Sequence, residues 1–379
     1  MLLEKLRFNR QEWAGAFGDI GTDFPLLVGM ILTAKLDAAS VLVMYGFMQV
    51  MTGLLYRRPM PVQPLKVVAT LVITQQLSGG ILYAGGLAIA VVMFILTISG
   101  GLDWLSKAVP KAVVRGIQLG LGINLAMLAL KDYLPRDGAQ GYVLGILAFI
   151  LILCLLPNKR FPAALVVLGL GFVYACLFKF QGINFSGSLG FHLPVIHTPT
   201  WPDIVSGFVL LTLPQIPLSL GNSILATRQV NEDLFPQRPL TVRRIGFTYS
   251  LMNVISPLFS GVPVCHGSGG MMGHYTFGAR TGGSLLIYGG MYLMLGLFLA
   301  QGFAQIIHIF PMPILGAILF VESLALMILV GDLNQDKRQL WIAFMVAMMA
   351  ISLPYGFIIG LVVGILVSRF NIQSTFFSI

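Results

Sequence analysis

Charged residues are scarce in this sequence. Only 10% of its 379 residues are Asp, Glu, Lys or Arg, whereas a soluble domain carries about 25%. The hydrophobic share is 57%, and the mean hydropathy is +0.88. So few charges could not cover the surface of a soluble globule of this length. The composition therefore excludes a soluble globular protein and predicts one that lies in a lipid bilayer.

Cysteine is scarce too, with three residues, Cys154, Cys176 and Cys265. They stand far apart without a CxxC pair, which argues against a disulfide framework or a zinc site. The sequence holds no HExxH motif and no nucleophile elbow. Its GSGG string at 267–270 is not followed by the Gly-Lys-Ser/Thr of a P-loop. We therefore predict no enzyme activity, no metal and no cofactor.

Apolar runs of about 20 residues, long enough to cross a bilayer as helices, recur along the chain. Their continuous hydrophobicity, without strict alternation, favours helices over a barrel and predicts an all-α membrane protein. We count about fourteen transmembrane segments: 13–33, 38–55, 61–77, 81–99, 110–130, 141–156, 161–179, 202–227, 242–260, 262–278, 283–301, 306–330, 338–353 and 355–371.

The net charge of +9 would suggest a nucleic-acid partner in a soluble protein, but here the positive-inside rule accounts for it. With the N-terminus inside, 18 of the 23 lysines and arginines fall at inner ends and loops. The first 13 residues lack the pattern of a signal peptide and are expected to be a cytoplasmic lead-in. We predict a bacterial inner-membrane protein with both termini in the cytoplasm and no nucleic-acid partner.

Segments three and ten begin irregularly, with Pro-Met-Pro-Val-Gln-Pro and Val-Pro-Val-Cys-His-Gly-Ser-Gly-Gly. Proline removes an N–H donor and glycine loosens the backbone, so each segment should combine a short extended stretch with a half-helix. The two breaks occupy the same place in two sets of seven segments. This predicts two inverted repeats, 1–190 and 191–379, with a transporter binding site at the breaks.

The two half-helices are expected to start near Pro64 and near His266 or Gly267. Their N-termini would face the midplane from opposite sides and offer free N–H groups and positive dipole ends to a small dianion. Glycines would let the ligand approach the backbone, although they could instead serve helix packing. The substrate-binding residues predicted at these breaks are Gln63, Cys265, His266, Gly267, Ser268, Gly269 and Gly270.

Acidic residues inside the membrane are costly and usually functional. Asp19 and Asp23 in segment one stand four residues apart, and either could carry a coupling proton, or could cap a helix or lie near water. Lys66 could add positive potential to the site or pair with Asp19. Glu322 in segment twelve could carry a proton or be a polar interface residue. His266 could titrate near neutral pH or stay neutral and hydrogen-bonded.

Segment eight is the counterpart of segment one in the second repeat. It contains Gln215 and Asn222, which offer neutral hydrogen-bond donors to a ligand. Polar residues in a membrane helix also hold helices together, so both roles stay open for them.

The strings AGAFGDIGTDFP, PMPVQPLKVVAT, PQIPLSLGNSILAT and GVPVCHGSGGMMGHYTFGARTGG together resemble the molybdate transporter family, a branch related to sulfate permeases. The resemblance implies a seven-plus-seven inverted-repeat fold with a core domain (segments 1–4 and 8–11) and a gate domain (segments 5–7 and 12–14). The substrate-binding positions that it implies are Asp19, Thr22, Gln63, Lys66, Gln215, Asn222 and 266–270.

The predicted function is secondary active transport of a tetrahedral oxyanion by alternating access, with molybdate as the first candidate substrate. Sulfate, or oxyanions in general, is the first alternative, followed by a nucleobase transporter and an anion channel. A coupling proton and a homodimer are possible partners that the sequence leaves open.

Overall fold

The computed structural model describes residues 5–158, 162–179 and 189–369. The first half of the chain contains helices α1 (Arg10–Ala16), α2 (Ile20–Ala34), α3 (Ala38–Tyr56), α4 (Lys66–Gln75), α5 (Gly79–Ile98), α6 (Gly101–Ala108), α7 (Lys111–Leu128), α8 (Gly138–Leu155) and α9 (Ala163–Phe178). The second half contains α10 (Trp201–Gly207), α11 (Leu213–Leu218), α12 (Ala226–Leu234), α13 (Val242–Leu258), α14 (Ser268–Thr276), α15 (Gly283–Phe298), α16 (Ala300–Ile309), α17 (Met312–Met327), α18 (Lys337–Ser352) and α19 (Gly356–Arg369). Two short strands, β1 (Val62–Pro64) and β2 (Val264–His266), precede α4 and α14.

Each of the fourteen predicted segments overlaps at least one of these helices, and a mostly helical fold with short extended stretches before α4 and α14 is confirmed. Within the described ranges, five helical stretches are long and apolar enough to cross a bilayer, or up to seven if each of two bent pairs counts as one span. The remaining apolar helices are shorter, such as α4, α9 and α19. The number fourteen therefore stays a prediction.

Segments one and eight are irregular helices. Between α1 and α2 the axis bends by 43°. In segment eight the wide π-helical stretches Phe208–Thr212 and Ser219–Leu225 flank α11, which contains Pro214 and Pro217. Proline cannot donate the backbone bond of a regular helix, and the wider turns accommodate that loss. Helix α2 contacts β1, and the stretch Ser219–Leu225 contacts β2.

The helices of the two halves pack on one another in matched pairs. Helix α3 packs against α15 and α5 against α13, while α7 packs against α18 and α8 against α17. Small residues permit the close approach, since a Cβ added to Gly46 in α3 would lie 2.6 Å from the carbonyl oxygen of Gly289 in α15.

The outer faces of the helices are apolar. On α8 the large side chains of Val143, Ile146, Leu147, Ile150 and Leu153 are all exposed, with spacings of three and four residues that form one stripe. An exposed stripe of this size would be a liability in water but suits contact with lipid chains.

A buried carboxylate ties the start of the chain to the second half. Glu12 in α1 accepts hydrogen bonds from the backbone N–H groups of Arg280 (3.0 Å), Thr281 (2.8 Å) and Ser284 (3.1 Å). These groups belong to the turn and first residues of α15, which a negative charge stabilises. Because α1 also carries the chain into Asp19, this contact fixes one wall of the site.

Candidate functional site

The two interrupted segments meet at the centre of the fold. Strands β1 and β2 pair antiparallel, with Gln63 opposite Cys265 and Val62 opposite His266. Leu65 extends the contact by donating its N–H to the carbonyl oxygen of Pro263 at 3.0 Å. The two half-helices therefore start from a common crossing point, as the positions of the breaks predict.

An amide side chain holds each strand in the same way. Gln49 of α3 accepts from the N–H of Val62 at 3.1 Å and donates to its carbonyl oxygen at 2.7 Å. Asn253 of α13 accepts from the N–H of Val264 at 2.9 Å and donates to its carbonyl oxygen at 2.6 Å. Both amides are fully buried, so each satisfies two backbone groups that water cannot reach. The sequence reasoning missed both, although a lone amide in an apolar helix was a usable signal.

The two half-helices begin slightly later than predicted. Helix α4 starts at Lys66, not near Pro64, because Pro64 belongs to β1. Helix α14 starts at Ser268, with Gly267 as its N-cap residue in an extended conformation. Each strand therefore takes residues from what we expected to be the first helical turn.

The N-terminus of α4 is capped by Gln215. The side-chain oxygen of Gln215 accepts from the N–H groups of Val67 at 3.0 Å and Val68 at 3.3 Å, and its amide nitrogen donates to Ser219 at 3.1 Å. Both ends of the amide have protein partners in this structure, and donation to a ligand stays a prediction for Gln215. Its oxygen occupies the place at α4 where an anion would bind.

A carboxylate lies at the N-terminus of α14. Both oxygens of Asp19 are 2.7 Å from the amide nitrogen of Gln63, which donates to them. A Cβ added at Gly270 would overlap the Asp19 carboxylate, and one added at Gly267 would overlap the Gln63 side chain. A side chain at either position would therefore displace Gln63 or Asp19 from the arrangement described here. The amide nitrogen of Gln63 is engaged with Asp19 in this structure, and its expected contact with a ligand stays a prediction.

The first turn of α14 is open on its other side. Ser268 is half-buried and Gly269 is exposed. A Cβ added at Gly269 would meet no heavy atom within 4 Å among the described residues. The start of α14 therefore offers backbone N–H groups, a dipole end and a hydroxyl group at one accessible edge.

Lys66 pairs with Glu322 of α17. Its ammonium nitrogen is 3.9 Å from the nearer Glu322 oxygen, and the two side chains are 21% and 30% exposed. The sequence left open whether Lys66 pairs with Asp19 or adds positive potential to the site. In the structure the ion-pair partner of Lys66 is Glu322. Lys66 still lies within electrostatic reach of Asp19 and Cys265.

A cavity of about 160 Å³ adjoins this cluster. Asp19, Thr22 and Glu322 are among its lining residues, together with residues of α8, α9 and α17. One water occupies about 30 Å³ in the liquid, so the cavity has room for several waters or a small ion.

Three predicted site residues have other surroundings. The imidazole of His266 is 2.8 Å from the Thr248 hydroxyl group. Asp23 is fully buried and accepts from the Tyr288 hydroxyl group at 3.3 Å. Asn222 accepts from the amide of Gln118 in α7 at 2.9 Å, which links segment eight to that helix. The structure thus groups Asp19, Gln63, Lys66, Glu322 and the start of α14, but engages these three elsewhere.

Comparisons with known proteins agree with this architecture. A family model described as "Molybdate transporter of MFS superfamily" matches residues 11–125 and 207–326. Molybdate transporter 2 of Arabidopsis thaliana is 31% identical over 94% of this chain and 86% of its own length. Molybdate transporter 1 of Chlamydomonas reinhardtii is 26% identical over 93% and 90%.

Solved structures show the same fold at low sequence identity. The transmembrane domain of the cyanobacterial bicarbonate transporter BicA has a TM-score of 0.66 at 16% identity, covering 96% of this chain and 99% of that one. The murine anion transporter Slc26a9 has a TM-score of 0.67 at 12% identity, covering 97% and 68%. The predicted family resemblance is confirmed by the sequence matches, and the transporter-like membrane fold by these structures.

Proposed function

The chain belongs to the molybdate transporter family, and from this premise we propose that it carries molybdate across a membrane. An integral membrane transporter of anions is the class that the family and fold indicate. The observation that supports an oxyanion site is the open first turn of α14, which starts at Ser268 beside the strand crossing.

The anion would bind to the backbone N–H groups at the start of α14 and to the Ser268 hydroxyl group. A helix N-terminus carries about half a positive charge, and Gly269 leaves the backbone uncovered. Lys66 would add the second positive element, because Gln215 already occupies the amides of α4. The proposal thus replaces the symmetric site expected from the sequence with one built mainly on α14.

Transport would proceed by movement of a core domain (segments 1–4 and 8–11) against a gate domain (segments 5–7 and 12–14). The matched amides Gln49 and Asn253 support the inverted repeats 1–190 and 191–379, because each holds its own strand in the same way. The cavity beside Asp19 lies between segment one and helices α8, α9 and α17, where such domains would separate.

Coupling, assembly and membrane are further parts of the proposal. Asp19 and Glu322 line the cavity and would be the proton carriers if transport is proton-coupled. The bacterial inner membrane with cytoplasmic termini and the homodimer rest on the sequence reasoning alone, and the relatives described above come from a plant and an alga.

The test is molybdate uptake into proteoliposomes by the wild type and by a variant that combines Gln63→Ala with Ser268→Ala. We expect uptake to fall at least tenfold, because Ser268 would contact the anion and Gln63 holds Asp19 in place. The matched control combines Gln229→Ala with Ser99→Ala, whose exposed side chains bond to near neighbours in the sequence: Gln229 to Asp233, and Ser99 to Ile95 and Gly101. Unchanged uptake by the first variant, with the fold intact, would contradict the site.

A further inference from the structure

Glu322 and Lys66 form a loose ion pair between two parts of the fold that the proposed transport mechanism moves. Lys66 is the first residue of α4, and Glu322 lies in α17. Their separation of 3.9 Å exceeds the 2.7 to 2.9 Å that is typical of a charge-assisted hydrogen bond. By comparison, Lys179 and Asp137 are 2.7 Å apart elsewhere in the chain. Of the two ion pairs, the one between Lys66 and Glu322 is therefore the easier to break, so that Lys66 can take another partner.

The cavity beside the pair is unfavourable for a dianion in the described arrangement. Two carboxylates, Asp19 and Glu322, line it, while Lys66 is not among its lining residues. An entering oxyanion would meet two groups of its own charge, while the positive charge next to them is shared with Glu322. A change in the partner of Lys66 would remove this conflict.

The two acids differ in how firmly they are held. Asp19 is 4% exposed, and both of its oxygens accept from the Gln63 amide. The Glu322 side chain is 30% exposed, and its contact with Lys66 is the longer one described above. Glu322 is thus the acid that can leave the cluster without breaking a short hydrogen bond.

We propose that Glu322 is an exchangeable counter-charge of Lys66, and that the oxyanion takes its place when it binds. This inference rests on the proposed function. Glu322 then acts as an internal competitor that sets the affinity for the anion. When the site is empty, it keeps Lys66 neutralised and links α4 to α17.

The experiment measures the Kd for molybdate by calorimetry with the purified full chain. Glu322→Gln removes the competing charge, and we expect binding to tighten about tenfold, the effect of 1.4 kcal/mol. Lys66→Met should weaken binding by a similar factor. In the Lys66→Met background, Glu322→Gln should no longer tighten binding, because the positive charge for which Glu322 and the oxyanion compete is gone.

Glu232→Gln is the matched control for the loss of one negative charge. Glu232 pairs with Arg228 at 2.8 Å in α12 and does not line the cavity, so the Kd of the Glu232→Gln variant should equal that of the wild type. Equal tightening by Glu232→Gln would show a general charge effect and would overturn the proposal.

The remaining outcomes distinguish a failure of the proposed function from a failure of the exchange between Glu322 and the anion. No molybdate binding by the folded wild type would refute the proposed function itself. Wild-type binding that Glu322→Gln leaves unchanged or weakens would refute the exchange alone. If Lys66→Met does not fold, Lys66→Arg with and without Glu322→Gln replaces it, and the tightening must then persist because the positive charge is kept.

Discussion

Gly269→Ala separates binding of the anion from packing of the protein. A methyl group at this position meets no heavy atom of the described chain within 4 Å, so the fold has room for it. The same position is the second residue of α14, where the proposed oxyanion contacts the backbone. The substitution should therefore disturb the ligand but not the protein.

Gly269→Ala should have opposite effects on protein stability and on affinity for the anion. Alanine inside a helix is more stable than glycine by about 0.5 to 1 kcal/mol, so the melting temperature should stay the same or rise. A lost hydrogen bond to a charged group costs about 1.5 to 3 kcal/mol, which weakens the Kd by a factor of about 10 to 150.

The assay pairs calorimetric binding of molybdate with thermal unfolding in detergent. Gly290→Ala is the control, since Gly290 is also helical and a Cβ there would meet no described heavy atom within 4 Å. It should leave the Kd unchanged. Gly269→Ala with wild-type affinity would refute the placement of the anion at α14. A fall in affinity together with a fall in melting temperature would refute the reasoning from packing.

Three further predictions concern the supporting structure, each read out as the melting temperature in detergent. Gln215→Ala leaves the N–H groups of Val67 and Val68 in α4 without their acceptor and should cost about 1 to 3 kcal/mol. Gln215→Glu should keep the cap, and equal losses in the two variants would contradict this role. Gln49→Leu and Asn253→Leu should each destabilise by a similar amount, because each amide serves one N–H and one carbonyl group; a loss in one variant only would argue against equivalent roles. Asp336 caps α18, and the hydrogen bond from the Gln339 N–H lowers the pKa of the Asp336 carboxyl group. The stabilisation by this cap is therefore fully present above the unfolded-state pKa of Asp336. It is lost as the pH falls through the folded-state pKa. Asp336→Ala should remove about 1 kcal/mol and this pH dependence, while Asp336→Asn should keep the cap without the pH dependence.

The helical part of the fold could be predicted from the sequence because lipid leaves few alternatives. Apolar runs gave the helix positions, and the Pro- and Gly-rich starts of segments three and ten gave the place where the strands meet. The bend before α2 and the π-helical turns around Pro214 were not predicted. They depend on how the chain compensates for a lost backbone bond, which local composition does not specify.

The site was predicted less completely than the fold. Composition placed polar residues near the breaks, but it could not assign their partners. Gln63 is engaged with Asp19, Gln215 with the amides of α4, and Lys66 with Glu322. These pairs join residues that are 44 to 256 positions apart, so they follow from tertiary packing that no local pattern contains.

Gly267 and Gly270 show the same limit. We expected them to open the backbone to a ligand, yet a side chain at either position would overlap Gln63 or Asp19. Gly269, one residue before Gly270, has the open space that we expected of all three. A helix turns by about 100° per residue, so neighbouring glycines face different surroundings.

The central claim is that this anion transporter binds molybdate, and calorimetry at fixed pH tests it most directly. Molybdate is titrated into the purified wild-type protein, first alone and then in excess sulfate. We predict saturable molybdate binding that excess sulfate displaces only weakly. Equal displacement would make the protein a general oxyanion carrier, and no binding of molybdate by the folded protein would contradict the account.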